Sequence, residues 1–225
     1  MCNLYANTMP QDAMRRLFDV SPEDDALGNF APAEAIFPRH DAVIVRRGED
    51  GARRLGLAHW GFVLPQVSKR TGAPILPKAV NNARDDTMRA SRFWRESFET
   101  RRCLMPATSY CEAKGTKPAT YVWFAMVGEA ARPPFAFAGI WKRHRGRYRD
   151  DLVDIETCAM LTTAPNALAR TVHPDRMPVI LAPDDWETWL AGDADAAAAL
   201  LAPFPAEAMR IAREGLDAKS DPTEG

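Results

Sequence analysis

Cys2 stands directly behind the initiator methionine, and a side chain that small in second position permits the methionine to be removed. The chain then begins with two nucleophiles on one residue, an α-amine titrating at about 7.7–8.0 and a thiol at about 8.5. At neutral pH an appreciable minority of each is in its reactive form. The amine can condense with an aldehyde to a Schiff base, the neighbouring sulfur can close that imine into a five-membered thiazolidine, and the pair can also assist acyl transfer. Position alone favours an ordinary second residue with no chemistry, so partners elsewhere in the chain must decide.

The other reactive side chains are scattered. Cys103, Cys111 and Cys158 have no Cys-x-x-Cys spacing, and His40, His59, His144 and His173 are as widely separated. Neither a zinc site nor a disulfide framework is indicated, and no metal or cofactor is expected. A net charge of −1 over 225 residues gives no global pull toward nucleic acid. Locally the charge is uneven, with a basic run over 142–149 and a second arginine-rich stretch from Arg84 to Arg102. A phosphate-binding face fits such runs, and so does a solvated loop, the commoner origin of any single one.

With 46% hydrophobic and 26% charged residues the composition is globular. No window is apolar for long enough to span a bilayer, and the start of the chain lacks a signal-peptide pattern. A soluble, cytoplasmic monomer with no membrane contact is the expectation.

The elements that must position Cys2 follow from periodicity. Residues 2–6 read as a short strand and 10–18 as a helix with apolar residues at helical spacing. Prolines fix an irregular segment over 29–38. Residues 42–46 and 53–63 read as a hairpin about a Gly-Glu-Asp-Gly turn, 65–77 as a proline-flanked loop, and 86–98 as a helix burying Phe93, Trp94 and Phe98. Strands are expected at 102–106, 120–127, 135–141, 153–162 and 179–181. The strand at 120–127 is apolar on both faces and so belongs in a covered, central place. A short helix over 165–171 comes before the last of these strands. Pro183 with Asp184 and Asp185 starts a helix reaching about residue 190, and an alanine-rich helix follows. The fold class is α+β, a single domain with a mostly antiparallel curved sheet or open β-barrel and flanking helices. The domain spans 1–206, and 207–225 reads as a disordered tail.

Several stretches, taken together, then point one way. Met1-Cys2-Asn3-Leu4-Tyr5, Asn29-Phe30-Ala31-Pro32, His59-Trp60-Gly61-Phe62, Asn82-Ala83-Arg84, Arg102-Cys103-Leu104-Met105-Pro106-Ala107, Tyr110-Cys111-Glu112, Ala138-Gly139-Ile140-Trp141, Leu161-Thr162-Thr163-Ala164-Pro165-Asn166 and His173 through Arg176-Met177-Pro178 occur in this order. In order and spacing the set resembles the SRAP family, SOS-response-associated proteins that process abasic sites, over roughly the first 190 residues. The resemblance implies a curved β fold with a groove for single-stranded DNA, acting in the DNA damage response and nucleoid-associated when bound. It implies that the ring-opened aldehyde of an abasic site is trapped as a thiazolidine crosslink on a mature N-terminal cysteine, shielding the lesion. By position it assigns Cys2 as the crosslinking residue, Asn82 as the active-site asparagine, Glu112 as the acid/base carboxylate and His173 as the active-site histidine. Arg84, with Pro32 and Arg89, falls to DNA contact.

Those residue types suit the reaction. Forming a Schiff base requires protons to be moved onto the sugar oxygen and off the carbinolamine, which a carboxyl and an imidazole can do. An asparagine amide can hold the amine or an oxyanion without titrating. The chain departs from the family where Asn3-Leu4 replaces a frequent Gly-Arg and Ala113 a frequent tryptophan. Two other readings fit the same residues. One is a thiol autopeptidase, with lyase activity at the lesion as a further possibility for the family; the other is a non-catalytic single-strand binder, salt-sensitive and indifferent to Cys2.

Overall fold

The computed structural model describes residues 2–149 and 151–222; the expected removal of Met1 and the last three residues of the expected tail lie outside the described residues. The strands are β1 (Tyr5–Asn7), β2 (Ala33–Ile36), β3 (Asp41–Arg47), β4 (Arg53–Trp60), β5 (Phe62–Val67), β6 (Pro74–Val80), β7 (Asn82–Arg84), β8 (Arg102–Ala107), β9 (Ser109–Lys114), β10 (Thr120–Met126), β11 (Phe135–Tyr148), β12 (Asp151–Thr163), β13 (Met177–Pro178), β14 (Ile180–Leu181) and β15 (Met209–Gly215). The helices are α1 (Gln11–Phe18), α2 (Asp85–Met88), α3 (Arg95–Thr100), α4 (Ala167–Arg170), α5 (Trp186–Ala191) and α6 (Ala194–Ala199).

Strands β12, β4, β3, β8 and β11 pair in that order, and β11 pairs back to β12. The ring is therefore a closed five-stranded barrel, with β12–β4 its one parallel contact. Closure leaves none of these strands a free edge. Strand β3 shows why the sequence builds it. Its β-branched run is buried on both faces, and alternate residues serve different cores. Val43 and Val45 pack with Leu104, Ile140, Phe98 and Trp189 beneath the helices. Ala42 and Ile44 pack with Trp60, Met105, Phe137 and Met160 in a second core that reaches Tyr5, Tyr110 and Phe124. Those last three belong to an antiparallel five-stranded sheet, β15–β10–β9–β1–β2, which carries β10 in the covered position its apolar sequence requires.

Arg102 fastens the helices to the barrel. Its buried guanidinium donates to the carbonyls of Phe98 (2.7 Å) and Glu99 (3.1 Å) at the end of α3 and to those of Trp189 (2.5 Å) and Gly192 at the end of α5. One cation thus satisfies carbonyls that two helix C-termini leave open. Trp189 is fully buried against the barrel, and its indole N–H donates to Cys103 O (2.9 Å). Trp189→Ala should destabilise the fold by about 3–5 kcal/mol, read as a lower urea midpoint with an unchanged m-value.

Four expectations differ from the structure. The single helix over 86–98 is two short ones, because the adjacent residues Phe93 and Trp94 both pack on Phe62, with ring centroids 5.9 and 5.0 Å away. In a continuous helix neighbouring side chains point about 100° apart and could not share that partner. The proline-flanked loop at 65–77 is largely an antiparallel arm, β5–β6. The basic run 142–149 is mostly the far half of β11, paired with β12 from Lys142↔Thr157 to Tyr148↔Asp151. The stretch expected as a disordered tail contains β15, which covers the outer edge of β10. Beyond it the chain is locked by Trp123 Nε1 donating to Ala218 O (2.7 Å) and by buried Asp221, which accepts from Ser109 Oγ (2.6 Å) and pairs with Arg132 (2.6 Å). Half of β15 faces solvent, so its sequence lacks a continuous apolar signal.

Candidate active site

The site begins with the pairing of β1 and β9. Tyr5 lies opposite Tyr110, and Cys111 N–H donates to Leu4 O at 2.9 Å, so the register carries Glu112 on toward Asn3 and Cys2. Alternation puts Tyr110 and Glu112 on one face. Tyr110 shares the core that contains Cys2, whereas Cys111 turns to the other side with Leu4 and Trp123. Cys2 is fully buried, and its Sγ–H donates to Leu4 O at 3.5 Å.

Asn82 reaches the same place from the barrel. Strand β7 runs parallel to β12 with Asn82 opposite Met160, and the Asn82 side-chain N–H donates to Cys2 O at 2.9 Å. Asn81 adds a second donor to that carbonyl (3.3 Å) and one to Asn3 Oδ1 (3.0 Å). Its own carbonyl accepts from the Trp60 indole (3.0 Å) and Met160 N–H (2.9 Å). The buried Asn82 Oδ1 has no hydrogen-bond partner among the described residues. Two amides therefore fix the backbone of Cys2, and an unspent acceptor lies beside it.

His173 follows α4, whose N-terminus is capped by Asn166 Oδ1 accepting from Ala169 N–H (2.8 Å). Its Nδ1 accepts from Arg176 N–H at 3.2 Å. That bond assigns the neutral tautomer with the proton on Nε2. Arg176 is itself buried, donating to Thr162 O and pairing with Asp85, and so ties the loop of His173 to β12 and α2. Asn3, Leu4, Phe37, Cys111, Glu112, Ala113, Tyr121 and His173 line one open pocket of about 330 Å³.

The electrostatics follow from burial. The Cys2 thiol is pushed well above its ordinary value by burial and then by the charge of Glu112. Burial raises the Glu112 carboxyl to about 7 and lowers the His173 imidazole. Near neutral pH the site thus holds the protonated Cys2 thiol, buried behind the pocket, and on the pocket wall a carboxyl at its midpoint and an uncharged imidazole. A carboxyl poised there can give and take protons in one turnover.

Cys2, Asn82, Glu112 and His173 are brought together. Pro32, Arg84 and Arg89 do not line the pocket. Pro32 is exposed ahead of β2; Arg84, at the end of β7, is paired with Asp86 (2.5 Å), and Arg89 with Asp195 (2.6 Å). Sequence reasoning did not select Asn81, Asn3 or Arg176. Asn81 was in plain view as half of an Asn-Asn pair, and Arg176 stands three residues beyond His173, a spacing that lets its N–H return to the ring. Among the described residues no helix is long and apolar enough to cross a membrane, and no group of three or more His, Cys, Asp or Glu is gathered that could hold a metal ion.

Comparison with known proteins gives a consistent result. Residues 1–214 match the profile of the SOS response associated peptidase (SRAP) domain. The abasic site processing protein YoqW of Bacillus subtilis is 30% identical over 187 residues, covering 81% of this chain and 78% of that protein. YoaM of the same organism, also an abasic site processing protein, is 30% identical over 190 residues, with 81% and 77% covered. A crystal structure of a Bordetella bronchiseptica protein superposes with a TM-score of 0.73 at 26% identity, covering 93% of this chain and 97% of that one. A second, from Bacteroides thetaiotaomicron, shares the fold with a TM-score of 0.72 at 21% identity, covering 93% and 90%.

Proposed function

The chain belongs to the SOS response associated peptidase (SRAP) family, and from that premise we propose that it processes abasic sites in DNA, capturing the lesion in single-stranded DNA as a covalent thiazolidine on Cys2. The observation that carries this reading is the buried Glu112 carboxyl, raised to about 7 and acting on the thiol of a residue whose backbone Asn82 holds.

The reaction starts when loss of Met1 frees the α-amine of Cys2. The amine attacks the C1′ aldehyde of the ring-opened sugar, with an N–H accepted by the unpartnered Asn82 Oδ1. His173, uncharged, hydrogen-bonds the developing C1′ oxyanion through Nε2–H, and that oxygen takes up the proton lost by the attacking nitrogen to give the neutral carbinolamine. Protonated Glu112 gives its proton to the carbinolamine hydroxyl, which leaves as water. The resulting carboxylate takes the proton of Sγ as the sulfur attacks C1′ and closes the ring. One C–N and one C–S bond form, one water is lost and no electrons are transferred.

The state of the thiol supports this order over a thiol peptidase. A peptidase nucleophile needs a depressed pKa and a base at the sulfur, whereas Cys2 Sγ–H is held protonated on a backbone carbonyl. Incubation of the processed chain with an abasic oligonucleotide should yield a species that survives heating, its mass equal to the sum of the two reactants less one water. Recovery of only the unmodified chain would refute the proposal.

A further inference from the structure

Beyond β15 the chain turns at 216–217 and runs back across the β15–β10–β9–β1–β2 sheet. Three bonds mark its course. Trp123 Nε1 on β10 donates to Ala218 O, Ser109 Oγ on β9 donates to the Asp221 carboxylate, and Asp221 N–H donates to Glu34 O on β2 at 3.0 Å. Strand β1 lies between β9 and β2, so the segment passes over it. A strand of three residues has few ladder bonds of its own, and β1 is the strand that leads back to Cys2.

The anchor of the segment is Asp221. Its carboxylate is fully buried, and Arg132 donates to both of its oxygens, at 2.6 and 2.7 Å. A bidentate pair of this kind fixes orientation as well as distance. The residue held down by it is Ala218, which packs in one buried cluster with Leu4, Ala6, Cys111 and Trp123. Leu4 and Cys111 are also walls of the pocket that contains Glu112 and His173. Leu4 is the link to the chemistry, because its carbonyl accepts both the Cys111 N–H (2.9 Å) and the Cys2 thiol (3.5 Å). Cys2 is thus held twice. Asn81 and Asn82 hold its carbonyl from the barrel side, and Leu4, backed by the C-terminal segment, holds its sulfur.

We propose that residues 216–221 form a strap that positions the Cys2 thiol for ring closure, with Asp221 as the positioning residue that fastens it. In that step the C–S bond forms as the π pair of the protonated imine returns to nitrogen, and Sγ gives its proton to the Glu112 carboxylate. Attack on carbon tolerates little misplacement, about 1 Å costing on the order of a hundredfold. Fixing Leu4 restricts where the sulfur can lie, whereas the backbone that carries the amine is fixed by the two asparagines. The strap therefore serves the second bond and not the first. The inference rests on reading Cys2 as the nucleophile toward an aldehyde, and it assigns a part of the chain to one step of that reaction.

The test follows two yields in time on an abasic oligonucleotide. One portion is reduced with borohydride, which traps the open imine beside the closed ring; the other is heated, which spares only the closed ring. In the parent the two curves should coincide. In Asp221→Ala and in the milder Ala218→Gly the total should rise at the parent's rate, while the heat-stable share lags roughly ten- to a hundredfold. Leu216→Ser, exposed on the same segment, should match the parent. Coinciding curves in both variants, even at a lower common rate, would overturn the strap and leave Asp221 a purely structural residue. Amide hydrogen exchange reads the same contact without DNA. The Cys111 N–H should exchange faster in both variants while the amides of β3 keep the parent's rate. Unchanged exchange at Cys111 would overturn the strap with the crosslink intact. A parent that forms no adduct would defeat the crosslink, and faster exchange at Cys111 would then still uphold the strap's hold on Leu4.

Discussion

Cys2→Ala should abolish the heat-stable adduct with abasic DNA altogether while leaving a reversible one. Alanine in second position still permits methionine removal, so the amine remains and Asn82 and Asn81 still hold the backbone carbonyl. An imine can then form, but no sulfur is present to close it, and it hydrolyses on heating. Borohydride reduction should recover the missing adduct as a stable secondary amine. The Cys2 thiol donates in a long contact to Leu4 O, and alanine keeps the buried Cβ and the bonded carbonyl, so the variant should fold. A borohydride-dependent adduct without a heat-stable one assigns separate steps to the nitrogen and the sulfur. A heat-stable adduct in Cys2→Ala would place the nucleophile elsewhere.

Glu112→Gln carries the second large effect. The amide keeps the shape of the side chain and cannot transfer a proton, so crosslinking should slow by about 10²–10⁴-fold. The parent rate should pass through a maximum between about pH 7 and about pH 7.7, falling on the alkaline side as the acid ionises and on the acid side as the amine is protonated. The alkaline fall should vanish in the variant. Stability moves the other way. A carboxyl raised from 4.5 to about 7 in the fold binds its proton more tightly there than in the unfolded chain. Its favourable contribution is complete below about pH 4.5 and is lost as pH rises through about 7. At pH 8 the parent therefore buries a costly charge, and Glu112→Gln should be more stable than the parent by up to about 3 kcal/mol, with little advantage at pH 4. Urea denaturation at the two pH values measures this, and equal differences at both would contradict the burial of an ionisable Glu112. Activity and stability respond oppositely to one substitution, as happens where a site holds a group the fold would rather exclude.

The barrel was legible wherever both faces of a strand are apolar, as in β3 and β10, because burial on two sides leaves a hydrophobic run. Strand β9 was not. Its sequence places Glu112 between a cysteine and an alanine and ends on lysine, which reads as surface. The carboxyl that spoils the strand pattern is the one the proposed chemistry uses, and functional positions are where local rules are expected to fail. The arm was hidden by its prolines and by aliphatic residues that face outward. Cys2, Asn82, Glu112 and His173 are selected by resemblance and the order of motifs, since each alone reads as an ordinary loop or surface residue. The pairing within the basic run was beyond the sequence. Arg143 and Arg145 share the single carboxylate of Asp154 across a hairpin whose register only folding fixes.

The parallel pairing of β7 with β12 has a consequence for how the protein is made. Asn82 takes its place beside Cys2 only when β12 is there to receive β7, and β12 leaves the ribosome late, with His173 later still. The reactive terminus is thus the first part of the polypeptide to be synthesised, while the groups proposed to activate it arrive near the end. Interrupted translation products would carry an N-terminal cysteine without the groups proposed to accelerate it, so on the proposed mechanism they would react with an aldehyde only at the rate of a free cysteine. Competence to react becomes a property of the finished chain.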